Sequence, residues 1–204
     1  MKRIYLLIAF LLLITVIVGL TACKVTTSKQ TTASESVFDE LNDLTGKEYD
    51  SITLTTLITE DSKTLRGSYT ANKQGDTIKV EYSYQKFALF EEVNGELIAP
   101  ENEIEIVAGS LTLKDGVVTD SSGAEIDFST KIVSARLSFN EDWFDNVMTG
   151  EGRFVASVKS PRSFLGIDNA TDMSVEVTYD TSRLKTILVK YKLEKTNIEL
   201  AYSF

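Results

Sequence analysis

The chain has 204 residues, 43% of them hydrophobic and 25% charged, which suits one core of ordinary domain size and excludes a chain disordered throughout. Its 21 basic residues stand against 30 acidic ones, a formal charge of −9, so binding to nucleic acid or to an anionic lipid surface by charge alone is disfavoured. There is no histidine and one cysteine, which removes Ser-His-Asp and Cys-His catalysis, imidazole metal sites and any disulfide within the chain.

Lys2 and Arg3 open the chain. An apolar run from Ile4 to Leu20 comes next, interrupted only by Tyr5, Thr15 and Gly19, and small residues then precede Cys23. A positive start, an apolar core and a small-residue end are the layout of an export signal. The run is about 17 residues, at the lower limit for a spanning helix, so length leaves an uncleaved anchor open. Leu20-Thr21-Ala22-Cys23 resembles the lipobox of bacterial lipoproteins: leucine, a small or β-branched residue, alanine or glycine, then cysteine. The resemblance implies a signal peptide over residues 1–22, cleavage between Ala22 and Cys23, and a diacylglyceryl group with palmitate-like acyl chains on the Cys23 thiol. It implies a domain held at the extracytoplasmic face of a cell membrane. Two acyl chains anchor stably where one is marginal. Without Lys2 and Arg3 the mature chain carries 19 basic and 30 acidic side chains, so the lipid would act without electrostatic help.

Residues 23–36 read as the lipidated N-terminus and a tether. Lys24 to Ser36 is rich in Thr, Ser, Lys and Gln, with Val25 its one large apolar residue, and buries too little to offset ordering entropy. Residues 37–204 read as a single domain. Ser36 to Leu44 predicts a helix: Val37, Leu41 and Leu44 fall at helical spacing, Ser36 suits the N-cap, and Asp39 and Glu40 suit the first turns.

Period-2 alternation dominates the rest of the chain. Ile78, Val80, Tyr82 and Tyr84 alternate with polar residues, as do Val133, Ala135, Leu137 and Phe139. The closing third predicts a meander over Met173–Tyr179, Leu184–Leu193 and Asn197–Phe204. Asn94-Gly95 and Asp115-Gly116 are hairpin signals, since a type I′ turn needs φ > 0 at both central residues. Lys73-Gln74-Gly75-Asp76, Ser121-Ser122-Gly123 and Asp180-Thr181-Ser182 read as further turns. The Thr-rich stretch Ser51–Thr59 suits an edge strand. A second helix is predicted over Asn140–Met148, with Asn140 as cap and Trp143, Phe144, Val147 and Met148 on one side. The fold class is therefore mainly β (α+β): a curved antiparallel sheet or half-open β-barrel of about nine to eleven strands with one or two short helices.

The anchor, the early helix before Tyr49–Thr59, the mid-chain helix around Trp143 and the closing meander ending at Phe204 together resemble the LolA-like and LppX-like lipoprotein carriers. That resemblance implies a half-open barrel holding acyl chains or a lipid-like molecule in its concavity, and a binding module rather than an enzyme.

No Gly-rich phosphate loop and no EF-hand pattern is present, and no cofactor is implied. Carboxylates are plentiful at Glu91-Glu92, Glu101, Glu103, Glu105 and Glu141-Asp142-Asp145. Glu103 and Glu105 alternate with Ile104 and Ile106, the pattern of a solvated strand face. Arg162-Ser163 and Arg183 read as solvated turn residues, and the sequon Asn169-Ala170-Thr171 as incidental. Trp143, Phe144, Phe164 and Leu165 are the candidate apolar pocket: placed on a helix and in the loop after Pro161, they would either line a cavity or plug the core. The partners expected are a membrane, a lipid ligand and, as the alternative reading, an envelope protein docked on the outer sheet.

Overall fold

The computed structural model describes residues 36–61, 63–88, 91–93, 96–98, 103–126 and 137–204. Helix α1 (Val37–Thr45) begins at Ser36, whose hydroxyl oxygen accepts the Asp39 N–H at 3.3 Å. The described residues include twelve strands: β1 (Ser51–Glu60), β2 (Lys63–Gln74), β3 (Thr77–Phe87), β4 (Glu91–Val93), β5 (Glu96–Ile98), β6 (Ile104–Lys114), β7 (Val117–Asp120), β8 (Phe144–Gly150), β9 (Arg153–Val158), β10 (Ala170–Tyr179), β11 (Leu184–Leu193) and β12 (Thr196–Ser203). Helix α2 (Pro161–Leu165) links β9 to β10.

Ten strands form one antiparallel sheet in the order β7-β6-β3-β2-β1-β12-β11-β10-β9-β8, and β4 pairs separately with β5. The end strands β7 and β8 do not pair, so the sheet is open rather than a closed barrel. The expected mainly β fold, the early helix and the closing meander are all present. The first and last strands meet at the centre, where Leu54 faces Tyr202 and Thr56 faces Leu200.

Register explains the core. One row across the inner face runs Phe154, Val177, Ile187, Tyr202, Leu54, Tyr69, Tyr82, Gly109. The next runs Ala156, Val175, Val189, Leu200, Thr56, Gly67, Tyr84, Val107. Period-2 alternation gathers the apolar residues of eight strands on one side, and most of that side is buried.

Three expectations are corrected. The stretch Asn140–Met148 is not a helix: Asn140 caps a single 3₁₀ turn (Glu141–Trp143), and Phe144 then enters β8. The cap and acidic first turn mark a helical start, but pairing with β9 takes over after one turn. A register shift between Asp145 and Met148, with Asn146 at φ 52°, breaks the alternation and leaves Val147 and Met148 both outward. The segment after Pro161 is not a loop but α2, with Pro161 in its first turn and Gly166 at φ 68° ending it. Ser51–Thr59 is not an edge. It lies in β1, between β2 and β12, and threonines on its outer face pair across the sheet, as Thr53 with Thr70 at 3.1 Å and Thr59 with Thr64 at 3.0 Å.

The signal peptide, Cys23, the tether up to residue 35, the Asn94-Gly95 turn, Glu101 and residues 133–136 of the expected strand lie outside the described residues. Leu137 and Phe139 are buried but sit in extended chain rather than in a strand.

Candidate functional site

The helices cover one end of the inner face. Phe38 of α1 stacks against Phe144 of β8 at 5.9 Å and meets Phe154 of β9 edge-on at 5.6 Å. Glu40 accepts the Tyr179 hydroxyl at 3.3 Å. Asn42 clamps the chain at Phe139: its amide donates to the Phe139 carbonyl at 2.9 Å, and its oxygen accepts the Phe139 N–H at 2.8 Å. Tyr49 donates its hydroxyl proton to the Leu44 carbonyl at 3.1 Å and accepts the Leu184 N–H at 2.9 Å, which joins the end of α1 to the start of β11. Burial pushes that phenol up, against the lowering effect of the Leu184 bond.

The candidate residues Trp143, Phe144, Phe164 and Leu165 do converge at this end. Phe144 and Phe164 lie edge to face at 5.3 Å, with Phe139 5.8 Å from Phe144 and 5.7 Å from Phe164. Phe144, Phe164 and Leu165 are buried in the continuous core, each side chain of this kind contributing about 1.5–3 kcal/mol. Trp143 is half-buried and faces a cleft beside α1.

The opposite end of the inner face is built differently. Tyr69, Tyr84 and Tyr82 form a tier of near-parallel rings, with centroids 6.5 and 6.1 Å apart. Two glycines lie under them. A Cβ at Gly67 would stand 2.6 Å from Thr56 Oγ1 and 3.0 Å from the Tyr69 ring; one at Gly109 would stand 2.6 Å from the Tyr82 hydroxyl. The tyrosines therefore lie down across bare backbone. Tyr69 and Thr56 are buried, while Leu65, Tyr82, Tyr84 and Val107 are half-buried. The ring contacts and hydrogen bonds of α1 and α2 run to β8, β9, β10 and the Phe139 segment, at the other end of the sheet from β2, β3 and β6. Sequence reasoning placed Tyr82 and Tyr84 on a buried face and passed over Gly67 and Gly109. An isolated glycine inside a strand was the available signal, since it marks a close approach.

Tyr202, near the middle of the sheet, is fully buried with no hydrogen-bond partner for its hydroxyl among the described residues. Burial drives its pKa upward, with the Tyr191 phenol adding to the effect.

The acidic residues mostly decorate the surface. Glu103 pairs with Lys63 at 2.6 Å, Glu105 with Lys86 at 2.6 Å and Asp145 with Lys159 at 3.3 Å. Arg162 pairs with Asp168 at 3.5 Å, and Arg183 donates to the Leu184 carbonyl at 3.5 Å. The side chains of Glu91 and Glu92 lie outside the described part. Among the described residues, no group of three acidic, cysteine or histidine side chains is arranged to hold a metal ion, and no helix is long and apolar enough to cross a membrane.

No protein-family model matches the chain, and no curated protein sequence does. Among solved structures, a DUF1329 family protein from Desulfovibrio piger aligns at 11% identity with a TM-score of 0.20, covering 76% of this chain and 84% of that one. A superposition that loose assigns neither a family nor a function.

Proposed function

We propose that the protein is an exported, lipid-anchored lipoprotein whose β domain is a non-enzymatic binding module for a lipid or similar hydrophobic molecule. Cys23 is the lipidation site in this reading, with cleavage after Ala22, and the domain works at the extracytoplasmic face of its membrane. One observation carries the ligand: the inner face runs unbroken across eight strands, the ring contacts and side-chain hydrogen bonds of the helices fall towards β8, β9 and β10, and at the other end Leu65, Tyr82, Tyr84 and Val107 stay half-buried beside buried Val80 and Leu111. An acyl chain laid along that end would bury apolar surface on a floor formed before it arrives. Glycines at positions 67 and 109 keep the floor low.

The test uses the full chain purified from membranes in mild detergent. Radiolabelled palmitate is expected in the wild type and absent from Cys23→Ser. Lipid extraction with mass spectrometry is expected to recover a bound amphiphile, and a fluorescent fatty acid should bind saturably and be weakened about tenfold or more by Val107→Arg, a charge set in an apolar surface. A protein that carries no lipid and shows no saturable fatty-acid binding would end this reading.

A second reading, docking of an envelope protein, rests on edge strand β8, where Val147 is 40% and Met148 64% exposed. A photo-crosslinker at position 148 in intact cells should then capture a single envelope protein, and failure to form any adduct counts against it.

A further inference from the structure

Strand β6 is longer than the strand beside it. β7 pairs only with Leu111, Thr112, Leu113 and Lys114. Among the described residues, the stretch 104–110 therefore has β3 on one side and nothing on the other. That leaves about 23 Å of backbone whose outward N–H and C=O groups have no ladder partner among those residues. Ile104, Glu105, Ile106 and Ala108 are exposed, Ile106 at 71%.

An open edge is a template for pairing with another chain, and folded proteins blunt theirs with proline, lysine, a bulge or brevity. β7 is four residues long, and β8 is broken by the register shift at Asn146. Residues 104–110 use none of these devices. They contain no proline and no lysine, and β6 keeps unbroken register with β3 from Ile104 to Lys114. Their one charge, Glu105, pairs with Lys86 of β3 at 2.6 Å, and Glu103 just before them pairs with Lys63 of β2 at 2.6 Å. Both ion pairs run back into the chain's own sheet. An arriving strand meets an edge that is largely apolar and locally neutral.

We infer that this edge of β6 pairs with the same edge of a second copy, antiparallel and two-fold, joining two ten-stranded sheets into one. β7 sets the register. A partner strand running past Ser110 would meet β7, so the pairing that uses every free residue of both copies is centred on Val107. Val107 then faces the partner's Val107, Ile106 the partner's Ala108, Ile104 the partner's Ser110 and Glu105 the partner's Gly109. Isoleucine and glutamate each oppose a small residue, and no two charges stand opposite each other. Charge also favours this meeting point. Two chains of formal charge −9 repel, and they approach at least cost where the carboxylates are already paired. One strand pair is a small interface, below the roughly 1,200 Å² of standard ones, so the association is weak and concentration-dependent. Ile104 and Ile106 lie on the outer face, and Val107 alone is shared with the tyrosine floor, so the inference does not rest on the hydrophobic-ligand reading.

The full chain in detergent, with micelles in excess, is followed by sedimentation equilibrium. A reversible monomer–dimer equilibrium is expected, with a Kd on the order of 10–100 µM. Ile106→Lys and Ala108→Glu should each weaken it about tenfold, since a charge blunts an edge. The two variants mixed should associate within about threefold of wild type, because the new ammonium then faces the new carboxylate. Both positions are exposed, so both variants are expected to fold, which circular dichroism verifies. Oxidative crosslinking in isolated membranes reads the register. Val107→Cys should give a disulfide-linked dimer, because directly opposed residues hold their Cα atoms about 4.5–5.5 Å apart. Ile104→Cys should not, because its two copies would lie about 20 Å apart. Wild type, whose one thiol is Cys23, is the control. A chain still monomeric roughly tenfold above the expected Kd, unchanged association in Ile106→Lys, no recovery on mixing, or equal crosslinking at positions 104 and 107 would each overturn the inference. So would a photo-crosslinker at position 106 that captures a different envelope protein in intact cells and no second copy. A chain that dimerises but neither carries lipid nor binds fatty acid would uphold this inference and end the lipid reading.

Discussion

Gly67→Ala tests whether the tyrosine floor is as tightly built as its geometry implies. Alanine is ordinarily the better strand residue, since glycine in a strand interior costs roughly 0.5–1 kcal/mol. At position 67 the added methyl would stand 2.6 Å from Thr56 Oγ1 and 3.0 Å from the Tyr69 ring. Neither neighbour has room to yield: Thr56 is 2% and Tyr69 1% exposed, and both are held in the central ladders by β1 and β2. Overpacking of this kind costs about 1–3 kcal/mol, which exceeds the propensity gain. For a domain of this size that should lower Tm by roughly 2–10 °C. Gly150 supplies the control. It lies at the end of β8 with an ordinary φ and nothing within 4 Å of its Cβ position, so Gly150→Ala should be neutral or stabilise slightly. Urea unfolding followed by Trp143 emission measures both. Thr56→Ser, which keeps the hydroxyl, and Thr56→Ala should be combined with Gly67→Ala. Relief by Thr56→Ala of about 1 kcal/mol or more in the double-mutant cycle would locate the strain at that contact. Equal stability changes at positions 67 and 150, or no coupling to Thr56, would refute the argument.

Three further outcomes are expected from the same geometry. Tyr202→Phe removes a fully buried hydroxyl that has no partner among the described residues, so stability should stay level or rise by about 1 kcal/mol, where most core truncations lower it; urea denaturation decides. Asn42→Ala strips two bonds from the Phe139 backbone and leaves a part-buried N–H and carbonyl unpaired, so a loss of about 1–3 kcal/mol is expected, with faster amide exchange at Phe139 seen by NMR. Asp180 accepts from the Ser182 hydroxyl and from the Ser182 and Arg183 N–H groups, which hold its carboxyl far below the ordinary value of 3.8. A depressed folded-state pKa gives stability that is full above the unfolded value and is lost as pH falls through the folded one. Wild type should therefore exceed Asp180→Ala in Tm at neutral pH, and the gap should close as the pH is taken well below that of an ordinary carboxylate.

Strands were legible wherever neighbours on both sides let alternation run undisturbed. β10, β11 and β12 fall within three residues of their expected bounds because Val175, Val177, Ile187, Val189, Ile198 and Leu200 each mark one buried face. Helix α1 was legible because its cap, first-turn acids and apolar spacing agree. The Asn140 segment misled because a cap states only that a turn begins. Whether the turn continues depends on what else the backbone can bond to, and β9 offered a ladder. The candidate pocket residues came from adjacency of aromatics, which identified the right region of the molecule. Burial of Phe144 beside an outward-facing Val147 and Met148 depended on a bulge that no residue type announces.

Sequence alone was sufficient for the mainly β class, the early helix, the turns at Gly75 and Asp115-Gly116, and the absence of imidazole chemistry, because each depends on residue type or on spacing within a few neighbours. Tertiary structure alone decided that β1 is central rather than an edge, since pairing of β1 with β12 joins residues from opposite ends of the domain. It also decided that Gly67 lies under Tyr69, and that β7 covers only residues 111–114 of β6. Local patterns dictate which face of a strand is apolar. Which other strand comes to lie against it is settled only when the whole apolar surface is buried at once, and the sites depend on that arrangement.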